Sequence, residues 1–142
     1  MKINTLQEAK QAAFNGAVRG LASQGWEQCV NLQLAHPICK WNLGKPGLHC
    51  AIGWLIPWEN QESAPQQYLT DAIVTRKLAP VLQKWIDNAN NNDVGEYSKF
   101  LEFLNSMQTA HDQSTSQLSL YQRFVEIGKY HKLNWPKDAR AA

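Results

Sequence analysis

Apolar residues recur at helical spacing over much of the chain. Leu6, Ala9, Ala13, Ala17 and Leu21 fall three to four residues apart, and Phe14 and Val18 widen the stripe. This pattern predicts an amphipathic helix from about Thr5 to Ser23. Thr5-Leu6-Gln7-Glu8 has the form of a capping box, with Thr5 as N-cap and Glu8 reaching back. Gly20 and Gly25 bracket the expected end. Trp26 to Leu34 reads as a short helix or an irregular stretch. Pro37, Gly44, Pro46 and Gly47 then mark a turn-rich central loop, because each fixes or frees φ in ways a regular element avoids. Cys50 to Ile56 follows as a short buried helix stopped by Pro57. A buried strand is the competing reading, since periodicity does not separate the two over so few residues.

In the second half, Leu69, Ile73, Val74, Leu78, Val81, Leu82, Trp85 and Ile86 again fit a helix, with Pro80 inside it. A proline in a helix interior removes a hydrogen bond and clashes with the preceding turn, so two short helices or a kink are expected. Asp87 to Asp93 reads as a polar loop. Tyr97, Leu101, Leu104 and Gln108, flanked by Phe100, Phe103 and Met107, predict a helix from about Gly95 to Ala110. Ser114, Thr115 and Ser116 offer N-caps for a last helix through Leu118, Tyr121, Phe124 and Val125 to about Tyr130. Residues 134–142 are expected to be a loose tail. The fold class is mainly α: one domain over 1–142, a bundle of about five helices around a Gly/Pro-rich loop. At most a small β element is expected, between Cys39 and Cys50.

Composition narrows this picture only a little. The 142 residues carry 14 Lys+Arg against 12 Asp+Glu, a formal charge of +2. That balance argues against a dedicated nucleic-acid binder with a dense basic face. The 44% hydrophobic content excludes a disordered solvating chain. Met1 to Lys10 has no apolar core of a secretory signal, and the longest apolar run, Ala51 to Trp58, is too short to span a bilayer. A cytoplasmic protein with no membrane partner is expected. Three cysteines, an odd number, fit a reducing compartment. Thirteen Gln and 11 Asn give a surface rich in neutral amides, so a partner would be held by short-range contacts. Six tryptophans are available as anchors, although large aromatics also build cores.

Candidate chemistry concentrates around the central loop. His36, Cys39, His49 and Cys50 lie within 15 residues and are ligand types that zinc prefers. Their spacing lacks the two paired arms of a zinc finger, so no cofactor is assigned and zinc stays an alternative. Cys50 at a helix start would have a lowered pKa, and His111-Asp112 is the best distant base pair for a thiol nucleophile. Against this, a small cysteine beside a strongly apolar run is ordinary core packing. His111 is equally read as a favourable cation at a helix C-terminus. Lys129, His131, Lys132, Lys137 and Arg140, interleaved with Tyr130 and Trp135, make a mildly basic C-terminal end. Phosphate-loop, dinucleotide-binding, nucleophile-elbow and zincin motifs do not occur in the sequence.

Cys39-Lys40-Trp41 followed by Gly47-Leu48-His49-Cys50-Ala51-Ile52-Gly53-Trp54-Leu55-Ile56-Pro57 resembles a pattern in small proteins of tailed phages and prophages. Those read roughly Cys-x-Tyr-Arg, a Gly turn, then Cys-Ala-Val-Gly-x-Leu-Ile-Pro, with a later Leu-Gln-x-x-His-Asp. Met107-Gln108-Thr109-Ala110-His111-Asp112 is similar to that later element, and the first helix with its Gln24-Gly25 end also fits. Trp41-Asn42 stands where the pattern has Tyr-Arg, and Trp58 where an acidic residue usually follows the proline. The resemblance implies a mobile-element origin, a mainly helical fold and no catalytic residues to carry over.

The expected function is therefore that of a small protein in a bacterial host cytoplasm that binds a host protein or complex, with inhibition of a defence or regulatory complex as its concrete form. An enzyme is not favoured. Trp41 and Trp58 are the expected anchors, with Lys40 and Lys45 beside them. The alternatives are a thiol hydrolase built on Cys50, His111 and Asp112, or a nucleic-acid-binding regulator using the basic C-terminal end.

Overall fold

The computed structural model describes residues 2–28, 49–57 and 78–142. Among them are four α-helices: α1 (Leu6–Ser23), α2 (Pro80–Asn92), α3 (Val94–Gln113) and α4 (Gln117–Tyr130). A single 3-10 turn covers Gly53–Leu55. The mainly helical class is as the periodicity predicts, and no strand occurs among the described residues. The Gly/Pro-rich loop and the stretch in which a β element was expected lie almost wholly outside them.

Helix α1 is the central element, packing against the 3-10 turn, α2 and α3. Its start is half of the expected capping box. The Thr5 hydroxyl accepts from the Glu8 amide at 3.1 Å, but the Glu8 carboxylate accepts from that hydroxyl at 3.1 Å instead of from the Thr5 amide. Its end lies at Gln24, with Gly25 at φ +67°, so Gly20 sits inside the helix and does not bracket its end. The Gly25 and Trp26 amides return to the Ala22 and Leu21 carbonyls at 3.0 and 2.8 Å, a Schellman closure that satisfies two carbonyls the helix would otherwise leave open. Ala9, Ala13, Phe14, Ala17, Val18 and Leu21 form its buried stripe.

Around α2 one expectation is corrected, that of a polar loop. Pro80 opens this helix at its first turn, where a missing N–H costs nothing, as the second of two short helices would begin; the expected stretch from Leu69 to Lys77 lies outside the described residues. Asp87 to Asn92, read as a polar loop, is helical. Ala89 is buried one turn beyond Trp85 and Ile86, and Gln83–Asp87 and Asn88–Asn92 side chains bond across i,i+4 steps. Packing and local amide pairs thus carry the helix through a stretch of weak propensity. Asp93 then ends α2 and caps α3, its carboxylate accepting from the Glu96 amide at 3.1 Å. Ser116 is the N-cap of α4, in a box closed by Ser119.

The C-terminal segment is not loose. Trp135 stacks on the Trp26 indole at 5.8 Å and meets Phe14 and Tyr121 edge-on at 5.9 and 5.5 Å. The Trp26 indole N–H donates to the Arg140 carbonyl at 2.7 Å, and Arg19 pairs with Asp138 at 3.0 Å. Gln11 holds both backbone groups of Asn134 at 2.9 Å. Burying large rings contributes about 1.5–3 kcal/mol each, which explains why a polar-looking tail folds back on α1. Trp26 itself is fully buried at φ +62°, and its ring packing and indole hydrogen bond offset the cost of that left-handed conformation.

Candidate functional site

The turn from His49 to Ile56 lies between α1 and α3, and glutamines on both sides hold it. At the end of α1, the Gln24 carbonyl accepts from the His49 amide and the Trp54 indole N–H, both at 3.0 Å. Its amide nitrogen donates to the His49 and Glu27 carbonyls at 2.9 and 2.7 Å. From α3, the Gln108 carbonyl accepts from the Ile52 amide at 3.1 Å while its nitrogen donates to the Asp112 carboxylate at 2.9 Å. Gln28 ties the chain after α1 to the far end of α3 by donating to the His111 and Asp112 carbonyls at 2.6 and 3.2 Å. A side-chain amide presents a donor and an acceptor, so it pairs with a distant backbone much as a neighbouring strand would.

Close approach to α1 completes the clamp. A Cβ on Gly20 would fall on the Trp54 ring, and one on Gly16 would lie 2.8 Å from the Leu55 side chain. The two glycines, one helical turn apart, leave the groove in which the 3-10 turn rests. The Ala79 amide donates to the Leu55 carbonyl at 2.9 Å, which joins the start of α2 to the same turn.

Cys50, His111 and Asp112, the expected thiol, base and carboxylate, are drawn to this region. The Cys50 sulfur accepts from the Gly53 amide at 3.4 Å, and His111 Nδ1 lies 3.0 Å from the Asp112 carboxylate. The thiol does not have the lowered pKa expected at a helix start. Burial pushes it up to about 12; hydrogen bonds to the Gly53 backbone and the Gln108 side chain oppose the rise, and the Asp112 charge adds to it. Desolvation of the thiolate outweighs the few donors that reach it. His111 is fully buried at the end of α3, whereas Asp112 is exposed. The arrangement supports packing and hydrogen bonding of a neutral thiol.

Of the four residues weighed for zinc, His36 and Cys39 lie outside the described residues. His49 packs edge-on against Trp54 at 4.6 Å, next to the Cys50 turn. Among the described residues no three His, Cys, Asp or Glu side chains gather as metal ligands would. Lys40, Trp41, Lys45 and Trp58 also lie outside the described residues. The other four tryptophans serve the interior: Trp26 and Trp85 are buried, and Trp54 and Trp135 pack half-buried against the core.

The basic C-terminal end is divided by the fold. Lys129 lies 3.8 Å from Glu126, and Arg140 sits near the Arg19–Asp138 pair. His131 and Lys132 instead face Lys10 of α1 and Lys99 of α3 across a separate cavity. Sequence reasoning missed Lys10 and Lys99, which are isolated in the chain. The structural role of Gln24 and Gln108 was equally unmarked, although both belong to the segments that carry the phage-protein resemblance. No protein-family model matches the chain, and no curated protein or solved structure matches it. No helix among the described residues is long and apolar enough to cross a membrane.

Proposed function

We propose that this is a small mobile-element-type protein that acts in a bacterial host cytoplasm by binding a host protein or complex, as an inhibitor of defence or regulation. The observation that carries the reading is the clamp on residues 49–56. It secures the point where the span bearing Lys40, Trp41 and Lys45 joins the bundle, and Trp58 follows one residue beyond Pro57. Lys40, Trp41 and Lys45 precede this turn in the sequence and Trp58 directly follows Pro57, and anchors that adjoin a fixed base bind at lower entropic cost. The assignment of the other four tryptophans to the interior supports the same reading.

The test is an affinity capture from bacterial lysate at moderate salt, with mass spectrometry and a nuclease-treated control, run beside Trp41→Ala and Trp58→Ala. A stoichiometric protein partner that survives nuclease and is lost with the tryptophan variants is the expected result. A partner recovered equally by both variants overturns the anchor assignment, and recovery abolished by nuclease replaces the protein partner with nucleic acid.

A further inference from the structure

At the opposite end of α1 from the clamp, a cavity of about 560 Å³ opens between α1, α3 and the residues that follow α4. Lys10, Lys99 and Lys132 supply three positive charges to its walls and Glu102 one negative charge, a net of +2. The Lys10 ammonium lies 3.3 Å from His131 Nδ1 and 5.9 Å from the centre of the Phe103 ring. Burial and then the Lys99 charge lower the Lys10 pKa, and burial and then the Lys10 charge lower that of His131. Like charges gathered in one concavity raise the local concentration of anions.

Two further observations point to what occupies it. Tyr130 lines the cavity and is 83% exposed, its ring edge-on to His131 at 4.9 Å. Lys132 holds φ +57° in the Schellman closure of α4, where the Leu133 and Lys132 amides return to the Gly128 and Lys129 carbonyls at 2.8 and 3.2 Å. Glycine is the residue that this position ordinarily takes. The closure of α4 thus places a cationic residue in the cavity wall beside Lys10 and Lys99.

We propose that this cavity binds a nucleoside monophosphate, with the phosphate held among Lys10, Lys99 and Lys132 and the base stacked on Tyr130. A phosphate monoester carries about −1.5 to −2 at pH 7, which the net +2 of the walls matches. An exposed aromatic ring beside a cationic floor is the pairing that single nucleotides and strand ends use, because every base has a π-face. The volume suits a ligand of this size. The same chemistry is offered by a free nucleotide and by the 5′-phosphorylated end of a single strand. This assignment does not rest on the partner-binding reading above.

The experiment is calorimetric titration of the full chain with each nucleoside 5′-monophosphate, the parent nucleosides, inorganic phosphate, a phosphotyrosine peptide, and a trinucleotide with and without its 5′-phosphate. Nucleoside monophosphates are expected to bind at least about tenfold tighter than nucleosides or phosphate, since both stacking and charge contribute. Tyr130→Ala should weaken binding by about tenfold and Tyr130→Phe should restore it. Lys132→Gly should weaken binding while leaving the protein at least as heat-stable as the parent, so that lost affinity is not lost folding. Preference for the free nucleotide or for the phosphorylated trinucleotide supports the proposal and says which source is used. Absence of nucleotide binding, binding unchanged in Tyr130→Ala and Lys132→Gly, or tighter binding of the phosphotyrosine peptide overturns it.

Discussion

Replacing Gly20 with alanine sets two effects against each other within one methyl group. In an exposed helix interior, alanine is favoured over glycine by about 1 kcal/mol. At position 20 the added Cβ lands on the Trp54 ring. That ring has little freedom to retreat: its N–H donates to Gln24 at 3.0 Å and its face is met by His49 at 4.6 Å. Forced overpacking costs about 1–3 kcal/mol, and displacement of the indole also forfeits a hydrogen bond worth about 1 kcal/mol. The clash therefore wins, and Gly20→Ala should destabilise by about 1–3 kcal/mol net of the propensity gain. For a chain of this length that is a fall in Tm of roughly 3–10 °C. Thermal unfolding followed by circular dichroism and tryptophan fluorescence measures it. Gly95→Ala is the control, since a Cβ there meets only the Asp93 carboxylate at an ordinary 3.4 Å and should leave stability equal or slightly raised. If Gly20→Ala stabilises as Gly95→Ala does, the 3-10 turn does not rest on Gly20 and the account of the clamp fails.

Three other outcomes follow from the same contacts. Gln24→Leu removes the partners of His49 and the Trp54 indole and should cost about 2–4 kcal/mol in urea unfolding, whereas the exposed Gln122→Leu should stay within about 0.5 kcal/mol; equal effects would refute the staple role. Cys50, with its thiol raised from 9.0 to about 12, should resist iodoacetamide in the folded protein at pH 8 and react on unfolding. The neutral thiol is favoured in the folded state, so its contribution is intact below pH 9 and is lost between pH 9 and 12 by up to about 1.4 kcal/mol per pH unit; Cys50→Ala should flatten that alkaline fall. His131, lowered by burial and by Lys10, should titrate below 6.5 by NMR, and Lys10→Met should move its midpoint upward. Because the unfolded imidazole takes up its proton first, stability should decline as pH falls through 6.5; a His131 midpoint above 6.5 would contradict the packing around it.

The sequence by itself determined the helices that bear a continuous apolar stripe. Phe14 and Val18 in α1, and Phe100, Leu104 and Met107 in α3, repeat at the helical period because backbone hydrogen bonds and side-chain direction are local properties. Ser116 as a cap and Gly25 as a closure are legible for the same reason. Helix α2 was misjudged where local propensity is weak: Ala89 is an unremarkable residue in one dimension and becomes a buried contact only beside its neighbours. The tail was misjudged likewise, since Trp135 is anchored by Trp26 more than a hundred residues earlier. Of the candidate site, Cys50, His111 and Asp112 were picked out by residue type, but the ionisation of the thiol depends on how much water and how many donors reach the sulfur. Gln24 and Gln108 look like any other glutamine until a backbone amide from elsewhere arrives opposite them. Lys10, Lys99 and Lys132 are solitary charges along the chain and become one cationic surface only when α1, α3 and the end of α4 are brought together. Local periodicity selects the elements, whereas close approach, amide pairing and charge clustering are relations between distant segments, and only the tertiary structure decides them.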